Sequence, residues 1–106
     1  MGTSRIEVFE QMLLSDPVNT SLLFGLAKEY EKADRNADLI VTLERYIKLA
    51  DDEGNAYGML ARAYEKGGER ARAKEAYERG IEVASAHGHP GMAEEYQTTL
   101  STEYED

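Results

Sequence analysis

Two adjacent stretches of the sequence have the same pattern: TSLLFGLAKEYEKADRNADLIVTLERYIKLADDE, residues 20–53, and directly after it GNAYGMLARAYEKGGERARAKEAYERGIEVASAH, residues 54–87. Laid over each other without gaps, the two stretches agree at ten of 34 positions. The identical pairs are Leu26/Leu60, Ala27/Ala61, Tyr30/Tyr64, Glu31/Glu65, Lys32/Lys66, Ala37/Ala71, Glu44/Glu78, Arg45/Arg79, Ile47/Ile81 and Ala50/Ala84. A fixed period of this length indicates a repeat architecture, in which each copy buries its apolar face against its neighbours.

Each copy contains two segments whose apolar residues recur with the spacing of a helix. In the first segment these are Leu23, Leu26, Ala27 and Tyr30, which recur as Tyr57, Leu60, Ala61 and Tyr64. In the second they are Leu39, Leu43, Tyr46 and Ile47, which recur as Ala73, Tyr77, Gly80 and Ile81. Short polar or Gly-rich turns, residues 34–36 and 67–69, separate the segments as they do in antiparallel helix pairs. Each copy is therefore predicted to be a helical hairpin, with Tyr30, Tyr64 and Tyr77 in the core.

The sequence continues on both sides of the two copies. Residues 5–17 match the second half of a preceding copy and end at Pro17. After Ser85 the register breaks, and a different segment begins at Pro90, which suits the first turn of a helix. In this segment Met92, Tyr96, Leu100 and Tyr104 recur every four residues. We predict six helices, at about residues 4–15, 19–33, 37–50, 54–67, 70–86 and 91–104, and no strands.

The spacing in the first helix of each copy resembles the tetratricopeptide repeat (TPR). The matching residues are Leu23-x2-Leu26-Ala27-x2-Tyr30 and Tyr57-x2-Leu60-Ala61-x2-Tyr64, followed by Leu39-x3-Leu43 and Ala73-x3-Tyr77 in the second helices. The resemblance implies an all-α, right-handed superhelix of hairpins whose first helices line a concave groove that binds a peptide. The sequence departs from the family pattern where Leu23 and Tyr57 replace Trp, where Asp51 and Ser85 replace Pro, and where Leu39 replaces a small Ala.

We therefore predict one TPR-like domain over residues 1–106. It comprises a half-repeat at 5–17, full repeats at 20–53 and 54–87, and a C-terminal capping helix at 90–104. Two full repeats are near the lower limit for independent stability, so either the end helices act as caps or the chain is an excerpt of a longer array. The acidic ending, residues 103–106, is expected to fray, which favours the interpretation as a cap.

The first-helix residues that lie off the packing stripe are expected to line the groove. They are Ser21, Phe24, Gly25, Lys28 and Glu31 in the first copy, and Asn55, Gly58, Met59, Arg62 and Glu65 in the second. From these we predict partner-binding residues Ser21, Phe24, Lys28, Asn55, Met59 and Arg62. Lys28 and Arg62 occupy equivalent positions and can donate to an acidic peptide or a C-terminal carboxylate, with Phe24 and Met59 as apolar contacts. On the alternative hypothesis, Lys28 pairs with Glu31, or Lys32 with Glu29, along a solvated face.

Composition limits the classes of function. With 106 residues, a formal net charge of −9 and no Cys, the chain is long enough for one domain and offers no disulfide or Cys-ligated metal site. The negative charge makes nucleic acid and anionic membranes unfavourable partners. We expect a protein or peptide partner and a cytoplasmic location. The acidity has two interpretations, adaptation to high salt or electrostatic steering of a basic partner.

Chemistry beyond binding has little support in the sequence. The close pair His87 and His89 lacks a third ligand and is predicted to lie in a solvated turn, so we expect no metal and no cofactor. Carboxylates such as Glu29 and Glu94 are expected on solvated helix faces, and no catalytic residues and no enzymatic activity are predicted. The main expectation is an adaptor or scaffold. The alternatives are a regulatory fragment of a larger TPR protein, or a self-assembly element that forms a homo-oligomer through an exposed stripe of Met92, Tyr96 and Leu100.

Overall fold

A computed structural model describes residues 4–105, which form six α-helices joined by short turns. The helices are α1 (Arg5–Ser15), α2 (Thr20–Lys32), α3 (Asn36–Leu49), α4 (Asn55–Lys66), α5 (Arg70–Ala86) and α6 (Pro90–Glu103). All six predicted helices are present with ends within one residue of the prediction, and residues 4–105 contain no strand. The all-α fold class is thereby confirmed. Residues 1–3 and 106, which the single-domain prediction includes, lie outside the described part of the chain.

Polar side chains fix where three of the helices begin. Ser4 Oγ accepts a hydrogen bond from the backbone N–H of Glu7 at 3.1 Å, and Asn19 Oδ1 accepts one from Leu22 N–H at 3.1 Å. The Asp52 carboxylate accepts from the N–H groups of residues 54 and 56, both at 2.9 Å. The first N–H groups of a helix have no intrahelical partner, so each of these side chains stabilises a helix start.

Three helices end with the same hydrogen-bonding pattern. α2, α4 and α5 are each followed by a residue with positive φ, which is Asp34 (58°), Gly68 (77°) or Gly88 (77°). The next backbone N–H then bonds back to the carbonyl five residues earlier. These bonds are Arg35 to Tyr30 at 2.9 Å, Glu69 to Tyr64 at 2.8 Å and His89 to Ala84 at 2.8 Å. This is the Schellman arrangement, which satisfies carbonyl groups at a helix end and starts a tight turn.

The helices fall into two compact units, divided between Ala50 and Asp51. In the first unit, α1 and α3 pack against α2 around the fully buried Leu23 and Leu43. Phe9 of α1 lies so close to Gly25 of α2 that a Cβ at that glycine would be 2.9 Å from the ring. A residue without a side chain is therefore what permits this helix contact.

In the second unit, α4 and α6 pack against α5. The buried apolar residues of this unit are Ala56, Met59, Leu60, Ala61, Ala63, Tyr64, Ala73, Ala76, Tyr77, Ala84, Ala93, Tyr96, Leu100 and Tyr104. Two predictions are corrected here. The apolar stripe of α6 is not exposed, since Tyr96 and Leu100 are buried, and Tyr104, which was expected to fray, is buried too. Asp106, the last residue of that expectation, lies outside the described residues. The right-handed superhelix and the single-domain organisation remain predictions.

Candidate functional site

Three of the predicted binding residues lie on one surface of α2. Ser21, Phe24 and Lys28 are spaced by three and four residues and so share a helix face, which we call the α2 surface. Phe24 is half-buried, with its ring centroid 5.1 Å from that of Tyr46. The Lys28 ammonium group stands over the Phe24 ring, 5.8 Å from its centroid. The α2 surface therefore combines a cation with a partly exposed aromatic ring.

The alternative hypothesis named two ion pairs on α2, and they have different outcomes. Lys32 Nζ lies 3.4 Å from Glu29 Oε2, which confirms that pair. Glu29 also pairs with Arg5 at 3.2 Å and is only 13% exposed, so it does not lie on a solvated face as expected. Lys28 does not pair with Glu31, and it forms no ion pair with any carboxylate within residues 4–105. Its charge is therefore not neutralised by the part of the chain that the structure describes.

In the second unit Arg62 opens onto a cleft of about 620 Å³, which we call the Arg62 cleft. The residues that line it are Arg62, Glu65, Gly68, Arg70, Tyr77, Thr99, Glu103 and Tyr104. Arg62 is exposed and, among the described residues, forms neither a salt bridge nor a side-chain hydrogen bond. Like Lys28, its equivalent in the first repeat, Arg62 is a cation free to bind an external anion.

The wall of the Arg62 cleft is fixed by a carboxylate that accepts two phenol hydrogen bonds. Tyr104 Oη donates to Glu65 Oε2 at 2.7 Å, and Tyr77 Oη donates to Glu65 Oε1 at 3.2 Å. Burial, together with the negative charge of Glu65, raises the pKa of Tyr77 to about 12 and that of Tyr104 well above its usual value. Both phenols remain protonated donors at neutral pH, so Glu65 is held in place by neutral partners.

Arg70, the second arginine of the cleft, is already engaged. Its guanidinium stacks on the Tyr104 ring, 4.3 Å from the centroid, and donates to the Glu103 carbonyl oxygen. Such a cation–π contact gains about 0.5–2 kcal/mol, depending on solvation. Arg70 thus holds the end of α6 against the cleft, and Arg62 is left as the cation available to a ligand.

The other predicted residues of α4 differ in exposure. Asn55 is exposed at the start of the helix. Met59 is 3% exposed, so it lies in the core and offers no apolar contact to a ligand, contrary to expectation. Gly58 is also buried, because the Tyr96 ring of α6 lies against it. The sequence misplaced Gly58 because the break in repeat register after Ser85 concealed how α6 packs.

The turn histidines are paired, contrary to the expectation that they are merely solvated. His87 Nε2 lies 3.3 Å from Asp51 Oδ1, and its Nδ1 lies 2.9 Å from the Val83 carbonyl oxygen. His89 Nε2 contacts the Glu53 carboxylate. Across residues 4–105, no group of three or more His, Cys, Asp or Glu side chains is arranged to hold a metal ion. The pairs therefore fasten the loop before α4 to the turn after α5.

Comparison with known proteins now decides the family. The sequence model described as Tetratricopeptide repeat matches residues 54–87, the same bounds as the second sequence repeat. A TPR repeat-containing protein of Pseudomonas aeruginosa is 31% identical over 83 residues, which cover 78% of this chain and 79% of that protein. The chain belongs to the tetratricopeptide repeat family. The resemblance seen in the first-helix pattern is thus confirmed.

Membership of the TPR family also indicates a general role. TPR repeats are generally protein-interaction modules that bind protein partners, and members of the family are typically non-enzymatic scaffolds. None of the helices within residues 4–105 is long and apolar enough to cross a membrane.

Tyr104, Arg70 and Glu103 of the Arg62 cleft were not identified from the sequence as site residues. The four-residue recurrence that ends at Tyr104 marked Tyr104 only as a packing residue.

Proposed function

We propose that this TPR protein is a non-enzymatic adaptor that binds acidic peptide segments of partner proteins at two surfaces, the α2 surface and the Arg62 cleft. Two cations at equivalent repeat positions support this proposal most strongly. Lys28 and Arg62 form no ion pair within residues 4–105, although Asp and Glu outnumber Lys and Arg by 21 to 12 in the chain. Unpaired cations in so acidic a protein favour an external anionic partner.

The groups around each cation suit such a ligand. A guanidinium can donate two parallel hydrogen bonds to one carboxylate, and such charge-assisted bonds are about twice as strong as neutral ones. The partly exposed ring of Phe24, beside Lys28, offers aromatic surface to an apolar residue next to the acidic group. Since each contact surface is small, we expect a transient complex with a Kd of roughly micromolar order.

The test is selection from a displayed library of random peptides, followed by sequencing of the peptides retained. We expect the wild-type protein to enrich sequences that contain Asp or Glu beside an apolar residue. The double variant Lys28→Glu/Arg62→Glu reverses both cations and is expected to lose that enrichment. Circular dichroism verifies that the variant keeps its helices, as expected for two exposed side chains.

A matched control separates a local effect from a change in net charge. Lys48→Glu/Arg79→Glu introduces the same charge change at exposed residues of α3 and α5. We expect this control to retain acidic peptides at nearly the wild-type level. Equal loss in both double variants would show that only overall charge matters. Wild-type enrichment of peptides without acidic residues would contradict the proposal directly.

A further inference from the structure

A second cleft, of about 450 Å³, lies in the first unit between α1, the loop that follows it, and α3. We call it the α1–α3 cleft. The residues that line it are Glu10, Leu13, Leu14, Pro17, Leu26, Tyr30, Asp38, Val41, Thr42 and Arg45. Leu26 and Tyr30 come from the face of α2 that carries its core residues, well away in rotation from Lys28 and Phe24. The cleft is therefore distinct from the α2 surface.

The α1–α3 cleft is bordered by apolar side chains that are unusually exposed. Leu14 is 77% exposed and Val41 is 63% exposed, and Val18, close to Pro17 in sequence, is 64% exposed. Within the described chain, all exposed large hydrophobic side chains belong to residues 8–49 of the first unit: Val8, Met12, Leu14, Val18, Val41 and Leu49. Contiguous exposed apolar surface around a concave site is typical of an interaction surface.

Two hydrogen bonds join residues that line the cleft. Tyr30 Oη donates to Glu10 Oε2 at 2.6 Å, which links α2 to α1. The Arg45 guanidinium donates to the Pro17 carbonyl oxygen, which links α3 to the loop after α1. Because these bonds hold the three helices in place, the cleft is preformed, and less conformational entropy is lost when a ligand binds.

The charges at the cleft specify the kind of ligand. Glu10 of α1 and Asp38 of α3 line the cleft about one helical turn before Leu14 and Val41, and both carboxylates act on the Tyr30 phenol. Tyr30 bonds to one oxygen of Glu10, and Arg35 bonds to one oxygen of Asp38 at 2.8 Å, while a carboxylate can accept at both oxygens. Arg45 donates to the Pro17 carbonyl oxygen and keeps its positive charge, so the charged lining residues are two carboxylates and one cation. An apolar centre with an excess of carboxylates beside it complements an apolar face that carries cations beside it.

We propose that the α1–α3 cleft binds a basic amphipathic segment of a partner protein, with apolar residues over Leu14 and Val41 and Lys or Arg beside Glu10 and Asp38. The net charge of −9 supports a cationic partner over a second copy of the chain, which would carry the same charge. This site does not depend on the proposed function, because its ligand has the opposite charge and it uses none of the residues proposed to bind the acidic peptide.

The direct test is fluorescence anisotropy with labelled synthetic peptides of about 18 residues, long enough for five helical turns. The first peptide has Leu along one helical face and Lys along both edges. The second carries Glu in place of Lys, and the third contains the same Leu and Lys in scrambled order. We expect the wild-type protein to bind the first peptide at least about tenfold more tightly than either of the others.

Two matched double variants locate the site. Leu14→Ser/Val41→Ser removes the apolar border and is expected to weaken binding of the Leu/Lys peptide about tenfold or more. Val8→Ser/Leu49→Ser removes the same residue types outside the cleft lining and is expected to leave binding unchanged. All four residues are at least 44% exposed, so each variant is expected to fold, as circular dichroism would verify.

Charge-neutral variants test the carboxylates. Glu10→Gln/Asp38→Asn keeps an acceptor for Tyr30 and for Arg35, and it is expected to weaken binding about threefold at low salt, as for partly exposed ion pairs. Lys28→Glu/Arg62→Glu changes residues outside the cleft and is expected not to weaken binding of the Leu/Lys peptide. The same double variant is expected to lose acidic peptides, so the two proposals can fail independently.

Several outcomes would overturn the inference. They are equal binding of the scrambled or Glu peptide, equal loss in the two serine variants, or no binding of the Leu/Lys peptide at up to about 1 mM protein. Sedimentation of the chain alone provides a further check. A dimer that dissociates in Leu14→Ser/Val41→Ser would assign the cleft to a second copy instead of a basic segment.

Discussion

The ring of Tyr96 on α6 lies directly against the backbone of Gly58 on α4, with no room for a side chain between them. The hydroxyl of Tyr96 donates to the Gly54 carbonyl oxygen at 2.9 Å, just before α4 begins. On the other side of the ring, a Cβ at Gly80 of α5 would be 2.8 Å from a ring carbon. A single buried tyrosine thus holds α6 to the two preceding helices through positions where the chain has no side chain.

Substitution of Gly58 by Ala should destabilise the protein. The new methyl group would overlap the Tyr96 ring and hydroxyl, and we expect a loss of about 1–3 kcal/mol in the free energy of unfolding measured with urea, as for other overpacked cores. The control is Gly91→Ala, also in a helix but with no atom within 4 Å of the new Cβ, which is expected to be neutral or slightly stabilising. In a Tyr96→Ala background the Gly58→Ala penalty should disappear.

The turns after α4 and α5 should depend on glycine for backbone conformation alone. Gly68 and Gly88 both have φ of 77°, and a Cβ at either would meet nothing within 4 Å. A residue with a Cβ is destabilised by about 1–2 kcal/mol when its φ is positive. We therefore expect Gly68→Ala and Gly88→Ala each to lower the free energy of unfolding, measured with urea, by about 1 kcal/mol. A cost equal to that of Gly91→Ala would contradict the role assigned to positive φ.

The buried phenols predict a loss of stability at alkaline pH. Burial first, and then the nearby Glu10 or Glu65 carboxylate, raises the pKa of Tyr30 and of Tyr77 from 10.0 to about 12. The unfolded state releases these protons at lower pH than the folded state does. The contribution of the two phenols to the free energy of unfolding is therefore fully present below pH 10 and is lost as the pH rises through about 12. The free energy of unfolding, measured with urea between pH 10 and about 12, should fall as the pH rises. The slope of this fall should be smaller for Tyr77→Phe. An unchanged slope would argue against a raised pKa for Tyr77.

The loop before α4 should be held most firmly in mildly acidic solution. The Val83 carbonyl and then Asp51 raise the pKa of His87 above 6.5, so its contribution is full below pH 6.5 and is lost as pH rises through the folded pKa. The hydrogen bond from His89 lowers the pKa of Glu53 below 4.5, so that contribution is full above pH 4.5 and is lost as pH falls through the folded pKa.

The pH window for this loop then lies between about 4.5 and 6.5. Amide hydrogen exchange of residues 51–56 measures the strength of the attachment directly. We expect the greatest protection in that window, once corrected for the intrinsic pH dependence of exchange. His87→Gln should remove the decline toward alkaline pH and keep the decline toward acid. Protection that does not depend on pH would contradict the assignment.

The sequence predicted the helices well because their apolar spacing repeats. Leu26 and Leu60, or Tyr30 and Tyr64, face the core in both copies, so a pattern seen once is checked by its second occurrence. The predicted turns likewise contain Asp34 and Gly68, which share positive φ at equivalent positions. Local spacing and turn chemistry suffice for features that recur along the chain.

The candidate site was predicted less completely because it depends on contacts between segments distant in sequence. Met59 lies in the core, and Gly58 is covered by Tyr96, from a helix that does not follow the repeat register. The Lys28–Glu31 pair of the alternative hypothesis is absent, and Lys28 stands over Phe24 instead. A one-dimensional pattern shows which face a residue occupies but not which of several neighbours a long side chain selects.

NMR titration of the isotope-labelled protein shows whether Lys28 and Arg62 bind an acidic segment. The titrant is the acidic peptide most strongly enriched in the display selection. We predict that side-chain signals of Lys28, Arg62 and Phe24 shift saturably on titration, and that Lys28→Glu/Arg62→Glu abolishes the shifts. Shifts confined to residues outside the α2 surface and the Arg62 cleft, with binding unchanged in that variant, would contradict the account.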